Sequence, residues 1–223
     1  MGKKAIVAGA TGLVGSELIK ILFESDAYEE VVLIVRSKQN FTSKKVTQIV
    51  ESDFEKIHDY QSELNGEDYY CALGTTIGKA GSKEAFEKVD YEYPLLLAKL
   101  AKSSTRFKQY AVVSAMGADP KSFFFYNKVK GNLEVALKKL ELKSLHIFQP
   151  NLLIGDRNEF RFGEMVFVRL LKILSFILLR PNNPIFAIKA ITVAKAMYNT
   201  SLTDNAKQEA QTYSPSQIKK LAS

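Results

Sequence analysis

Three glycines at three-residue spacing, Gly9-Ala10-Thr11-Gly12-Leu13-Val14-Gly15, leave little freedom in what can surround them. Lys4-Ala5-Ile6-Val7-Ala8 runs into the first glycine and is short and apolar, as a strand buried on both faces must be. After the turn, Leu13, Val14, Leu18, Ile21 and Leu22 recur near helical spacing, and Val31-Val32-Leu33-Ile34-Val35 then forms a second apolar run ending on Arg36. A strand that feeds a glycine turn opening a helix presents free backbone N–H groups and the positive end of a helix dipole to an anion. The spacing is G-x-x-G-x-x-G rather than G-x-G-x-x-G. The strand before it and the helix after it therefore carry the reading of a dinucleotide diphosphate site.

The rest of the chain alternates in the same way. Strands are expected at Ala5 to Ala8, Val31 to Val35, Lys45 to Val50, Tyr69 to Leu73, Gln109 to Val113 and Ser144 to Phe148. Helices are expected over Gly12 to Phe23, Lys83 to Lys102 and Phe123 to Leu140. That pattern predicts an α/β fold with a doubly wound parallel sheet in strand order 3-2-1-4-5-6. The alternation stops after Pro150. The expectation is one domain over 1–223, in which 151–223 covers the substrate pocket at the carboxyl ends of the strands.

Charge and cysteine usage narrow the setting. The net charge of +7 comes from lysines scattered along the chain rather than gathered into an arm or stripe, so no nucleic-acid role is prompted. The single cysteine, Cys71, cannot close an intrachain disulfide, and glycines interrupt the first apolar stretch too early for a signal-peptide core; a cytoplasmic setting is expected. His58 and His146 lack ligand-spaced partners, so no metal site is expected. The stretch 165–179 is strongly apolar but carries Arg169 and Lys172, too short and too charged to cross a bilayer. It reads as a helix over the pocket, a dimer interface or a helix lying on anionic lipid. The chain is expected to be a monomer or homodimer.

The second strand ends in Arg36-Ser37-Lys38, where an acidic residue would receive the ribose hydroxyls of NAD. A guanidinium there can fork onto a 2′-phosphate, which favours NADP(H) over NAD(H). Asp53 follows the third strand and either accepts from an adenine amino group or caps a turn. Cys71-Ala72-Leu73-Gly74-Thr75-Thr76 ends the fourth strand in small residues that let backbone approach a ribose. Tyr126 and Lys130 lie four apart on an expected helix, so they share a face, and the ammonium is expected to lower the phenol's pKa toward working pH. One such pair is expected by chance in a chain this rich in lysine. Its place twelve residues after Ser114, at the end of the fifth strand, gives it weight, with Ser114 expected to hold the reacting oxygen and Ser122 in reserve.

Together, Gly9-x-x-Gly12-x-x-Gly15, Arg36, Cys71 to Thr76, Val89-Asp90, Val113-Ser114 before Gly117-Ala118, Tyr126-x-x-x-Lys130-Gly131 with Glu134, and Gly155-Asp156-Arg157 ahead of Arg161 and Glu164 resemble the short-chain dehydrogenase superfamily. The likeness is to its atypical, epimerase/dehydratase-like branch, which includes the HIV Tat-interacting oxidoreductase. It implies a Rossmann fold and an NADP(H)-dependent oxidoreductase acting on a small carbonyl compound, with Tyr126, Lys130 and Ser114 catalytic. The coenzyme would lie along Gly9, Thr11, Gly12, Leu13, Val14, Gly15, Arg36, Asp53, Leu73, Gly74, Thr75, Lys130 and Pro150, and Arg157 and Arg161 would meet substrate. Ser114-Ala115 and Gln149-Pro150 depart from the pattern, where two serines and an Arg-Pro pair are frequent. Members of this branch also act as regulatory binding partners, so the alternative is an NADP(H)-sensing module without turnover.

Overall fold

A computed structural model describes residues 2–155, 187–203 and 210–223. Strand β1 (Lys3–Ala8) leads into helix α1 (Leu13–Glu24), β2 (Tyr28–Val35) and β3 (Val46–Val50). A 3-10 turn (Phe54–Tyr60) then leads to β4 (Asp68–Cys71), the short helices α2 (Ile77–Ala80) and α3 (Lys83–Glu87), a π turn (Lys88–Glu92) and α4 (Tyr93–Ser103). After them come β5 (Gln109–Val113), α5 (Phe125–Lys139), β6 (Leu145–Phe148), β7 (Leu152–Ile154), β8 (Ala187–Lys189), α6 (Ala190–Thr200), β9 (Ala210–Tyr213) and α7 (Pro215–Leu221). Seven strands form one parallel sheet in the order β3-β2-β1-β4-β5-β6-β9. The doubly wound order expected from the sequence is therefore present, with a seventh strand at its edge.

Apolar faces on both sides of the sheet explain the layering. On one side Val14, Leu18, Ile19 and Leu22 of α1 pack with Val193, Ala194 and Met197 of α6 and Ile218 of α7. On the other, Leu97, Ala98 and Ala101 of α4 meet Leu133 and Leu137 of α5 and Ile57 of the 3-10 turn. Central strand β1 has Ala5 to Ala8 at 0% exposure, as parallel strands covered on both faces require.

Two differences from the sequence reading have identifiable causes. The helix expected over 83–102 is broken into α3, the π turn and α4. Pro94 in the first turn of α4 has no N–H to continue an i→i−4 ladder, and the wide turn before it contains the buried Asp90. After Pro150 the alternation resumes: β7 pairs with β8 in a separate two-stranded sheet, α6 joins the α1 layer, and β9 extends the main sheet. Strands of three or four residues are too short to show a period.

The β6–β9 edge carries a buried histidine. His146 Nε2 is 2.8 Å from Ser144 Oγ, its Nδ1 is 2.8 Å from the Tyr213 hydroxyl, and its ring stacks on Tyr213. Burial lowers its pKa from 6.5 to about 4. Between those values the unfolded chain takes up a proton that the folded chain refuses. Stability is therefore expected to fall as pH drops through that window, by about 3 kcal/mol in total. Urea unfolding at about pH 7 and about pH 4.5 checks this: the loss between those two pH values should be smaller by roughly 2.5 kcal/mol in His146→Gln, and an equal loss in both proteins would contradict it.

Candidate functional site

The sheet reverses strand order between β1 and β4, which opens a crevice at their carboxyl ends. The glycine turn lies at that point. Gly9 has φ +87°, and a Cβ on it would stand 2.5 Å from the backbone carbon and oxygen of Ala72, so the turn is pressed against the end of β4. A Cβ on Gly15 would stand 2.0 Å from the Gly9 oxygen, so α1 sits directly on the turn. Gly12 donates its N–H to Gly9 O at 3.0 Å and occupies the N-cap position of α1 without a capping side chain. The first-turn N–H groups have no intrahelical acceptor, and that turn contains no acidic residue. Thr11, Gly12 and Leu13 are exposed, whereas Val14 and Gly15 are buried, so these last two could contribute backbone only. The glycine cradle fits a diphosphate.

Arg36 is exposed immediately after β2, beside exposed Ser37 and Lys38, and has no ion pair among the described residues. Asp53 is the N-cap of the 3-10 turn, its Oδ1 accepting from Glu55 N at 3.1 Å; of its two expected roles, capping is the one seen.

The end of β4 is linked to the expected catalytic helix through one carboxylate. Leu73 packs against the second core and Gly74 is exposed. Thr75 N–H donates to Asp90 Oδ2 at 2.8 Å, and Asp90 Oδ1 lies 2.8 Å from Lys130 Nζ. Asp90 and Lys130 are 1% and 3% exposed. Burial pulls the Lys130 pKa down, but Asp90 and Tyr126 outweigh it and the net shift is upward, so the ammonium is firmly held. Tyr126, one turn earlier on α5, packs against Phe86 with ring centroids 5.8 Å apart. The residue is 40% exposed overall, yet burial around its hydroxyl raises its pKa above the usual 10.0; Lys130 pulls it down and Asp90 adds to the rise. The lowered phenol pKa expected from the sequence is thus reversed, because burial exceeds the pull of an ammonium that Asp90 already partners.

Ser114 ends β5 at 4% exposure and donates its hydroxyl to Glu134 Oε1 at 2.5 Å. Glu134 continues the Tyr126, Lys130 row on α5 at another four-residue step, and both of its oxygens also accept from Gln149 Nε2, at 2.9 and 3.0 Å. With its proton committed, Ser114 offers lone pairs to a ligand; donating to a carbonyl oxygen would require that bond to break. Pro150 is buried, and its carbonyl accepts from Met116 N–H at 3.0 Å, tying the ends of β5 and β6 together. A Cβ on Gly131 would stand 2.3 Å from the Asp119–Pro120 backbone, so α5 lies tight against the loop that carries Ser122. Ser122 Oγ accepts from Phe124 N.

Asp90 and Glu134 enter the sequence reading only as part of the resemblance, and Gln149 only as a departure from it, with no role attached to any of the three; the four-residue step from Lys130 to Glu134 is the one spacing signal, and packing brings in Asp90 and Gln149. Arg157, Arg161, Glu164 and the 165–179 stretch lie outside the described residues. Among the described residues no group of three or more His, Cys, Asp or Glu could hold a metal, and no helix is long and apolar enough to cross a membrane.

The family described as NAD(P)H-binding matches residues 9–143. The chain is 33% identical over 211 residues to the rat protein HTATIP2, covering 92% of this chain and 84% of that one. It is 38% identical over 157 residues to "Protein FMP52, mitochondrial" of Candida albicans, covering 69% and 68%. In fold it is similar to an oxidoreductase of the short chain dehydrogenase/reductase family from Burkholderia thailandensis, with a TM-score of 0.71 at 14% identity over 98% of this chain and 93% of that one. The glycine cradle lies at the start of the matched span, and the protein belongs to the NAD(P)H-binding family and is a relative of HTATIP2.

Proposed function

We propose that the protein is an NADP(H)-dependent oxidoreductase that reduces a carbonyl compound with Tyr126 as proton donor. The observation that carries this reading is an unbroken series of contacts. Gly9 touches Ala72 at the end of β4, Thr75 three residues on donates to Asp90, and Asp90 holds Lys130 one turn from Tyr126. These contacts support placing the glycine turn and the Tyr126–Lys130 pair in one crevice.

The diphosphate would rest on the first-turn amides of residues 13–15, and the exposed Arg36, which has no ion pair among the described residues, would take the 2′-phosphate. When bound, the coenzyme supplies hydride to the carbonyl carbon. Tyr126 gives its proton to the carbonyl oxygen, Lys130 stabilises the phenolate left behind, and the partly exposed phenol regains a proton from water. Asp90 keeps the ammonium in place. Ser114, with its proton given to Glu134, accepts a hydrogen bond from the hydroxyl that reduction creates.

Arg36→Ala is expected to weaken NADPH on the order of ten- to a hundredfold while leaving NADH nearly unchanged, as judged by titration calorimetry. Equal losses would remove the phosphate role. A second reading, a nucleotide-sensing regulator, draws support from the committed Ser114 proton and the raised Tyr126 pKa. Following NADPH oxidation across aldehydes, ketones and quinones separates the two. Consumption dependent on Tyr126 supports the reductase; tight NADPH binding without consumption supports the regulator.

A further inference from the structure

The loop entering α5 exposes two aromatic rings that serve neither the core nor the crevice. Phe123 is 105% exposed and Phe124 is 64% exposed. On α2, which packs on α3, Ile77 is 43% exposed. The two segments are joined where Lys83 Nζ lies 5.3 Å over the Phe125 ring and Phe86 of α3 stands 5.6 Å from it. Lys79, Lys83, Lys121 and Lys128 are all exposed on these two segments, against three exposed carboxylates, Glu84, Glu87 and Asp119. Two neighbouring exposed phenylalanines, one of them fully solvated, are costly on a surface that faces only water. A ring of lysines around protruding apolar side chains complements an interface that is anionic at its surface and apolar beneath.

From this juxtaposition we infer that the β5–α5 loop and α2 form a docking surface for an anionic lipid bilayer, with Phe123 and Phe124 inserted at the headgroup level and the four lysines facing the lipid phosphates. Nucleic acid is the less favoured occupant. Its bases need an aromatic platform along a basic groove, and here the rings stand on the loop entering α5. The surface lies at the end of the sheet where the crevice opens, so docking would turn the mouth beside Tyr126 toward the bilayer.

Vesicle flotation of the full chain tests this, using phosphatidylcholine with and without phosphatidylserine. Binding is expected only with phosphatidylserine and should fall with added salt. The double variant Phe123→Ser with Phe124→Ser should lose at least about tenfold in affinity, and so should Lys79→Glu with Lys121→Glu. Thermal unfolding and its shift with NADPH should match wild type in both, since the side chains are exposed. Failure of wild type to float, or equal flotation by the phenylalanine variant, would overturn the proposal. So would oligothymidylate binding that these variants lose while vesicle binding survives. None of these outcomes depends on turnover, so they leave the reductase reading to its own test.

Discussion

Replacing Tyr126 with phenylalanine is expected to lower turnover by about a hundred- to ten-thousandfold, the span ordinarily supplied by a positioned general acid. Coenzyme affinity should stay within about twofold, because the ring and its contact with Phe86 remain and only the hydroxyl leaves. The raised Tyr126 pKa adds a pH signature. A phenol whose pKa lies above its usual 10.0 stays protonated through neutral and mildly alkaline solution. Reduction, which needs the protonated form, should therefore be flat across that range and decline only at stronger alkalinity; alcohol oxidation, which needs the phenolate, should be slow near neutrality and rise with pH. A reduction rate that already declines near neutrality would mean that another group sets the proton supply.

Asp90→Ala is expected to produce the largest stability change of any single substitution in the site. Asp90 neutralises a buried ammonium at 2.8 Å and accepts from Thr75 N–H, so its removal orphans a charge and a backbone donor at once. Breaking a buried pair from one side typically costs about 3–5 kcal/mol. Denaturant unfolding measures this directly. Adding Lys130→Met should recover part of the loss, because the uncompensated charge is then gone. A loss below about 1 kcal/mol for Asp90→Ala would mean that the pair is solvated rather than structural.

The cradle was legible in the sequence because two of its three glycines answer a backbone demand that no other residue meets: a positive φ at Gly9 and a helix seated on the turn at Gly15. Strands β1, β2 and β5 were legible for a similar reason, since central parallel strands must be largely apolar. The electrostatics of the site depended on tertiary partners. Tyr126 and Lys130 share a face, as their spacing required. Whether burial or the ammonium governs the phenol turns on Asp90, which reaches Lys130 from a π turn in another segment. In the same way, Ser114 was recognisable as a strand-end hydroxyl, but the direction of its proton was set by Glu134, a carboxylate twenty residues away. The edge strand β9 escaped notice because four residues pairing along one side with β6 carry no period of their own.

Calorimetric titration of NADPH into wild type and Gly12→Asp tests the central claim most directly. Gly12 is exposed, and a Cβ there would meet nothing closer than the Gly9 oxygen at 3.3 Å; an aspartate is also a favoured N-cap, so the variant should fold. Its carboxylate would occupy the field that the diphosphate needs. Wild type is predicted to give a saturable heat, and Gly12→Asp to bind at least about tenfold more weakly. Indistinguishable isotherms, or no heat from wild type at millimolar coenzyme, would contradict the assignment of residues 9–15 as the diphosphate site.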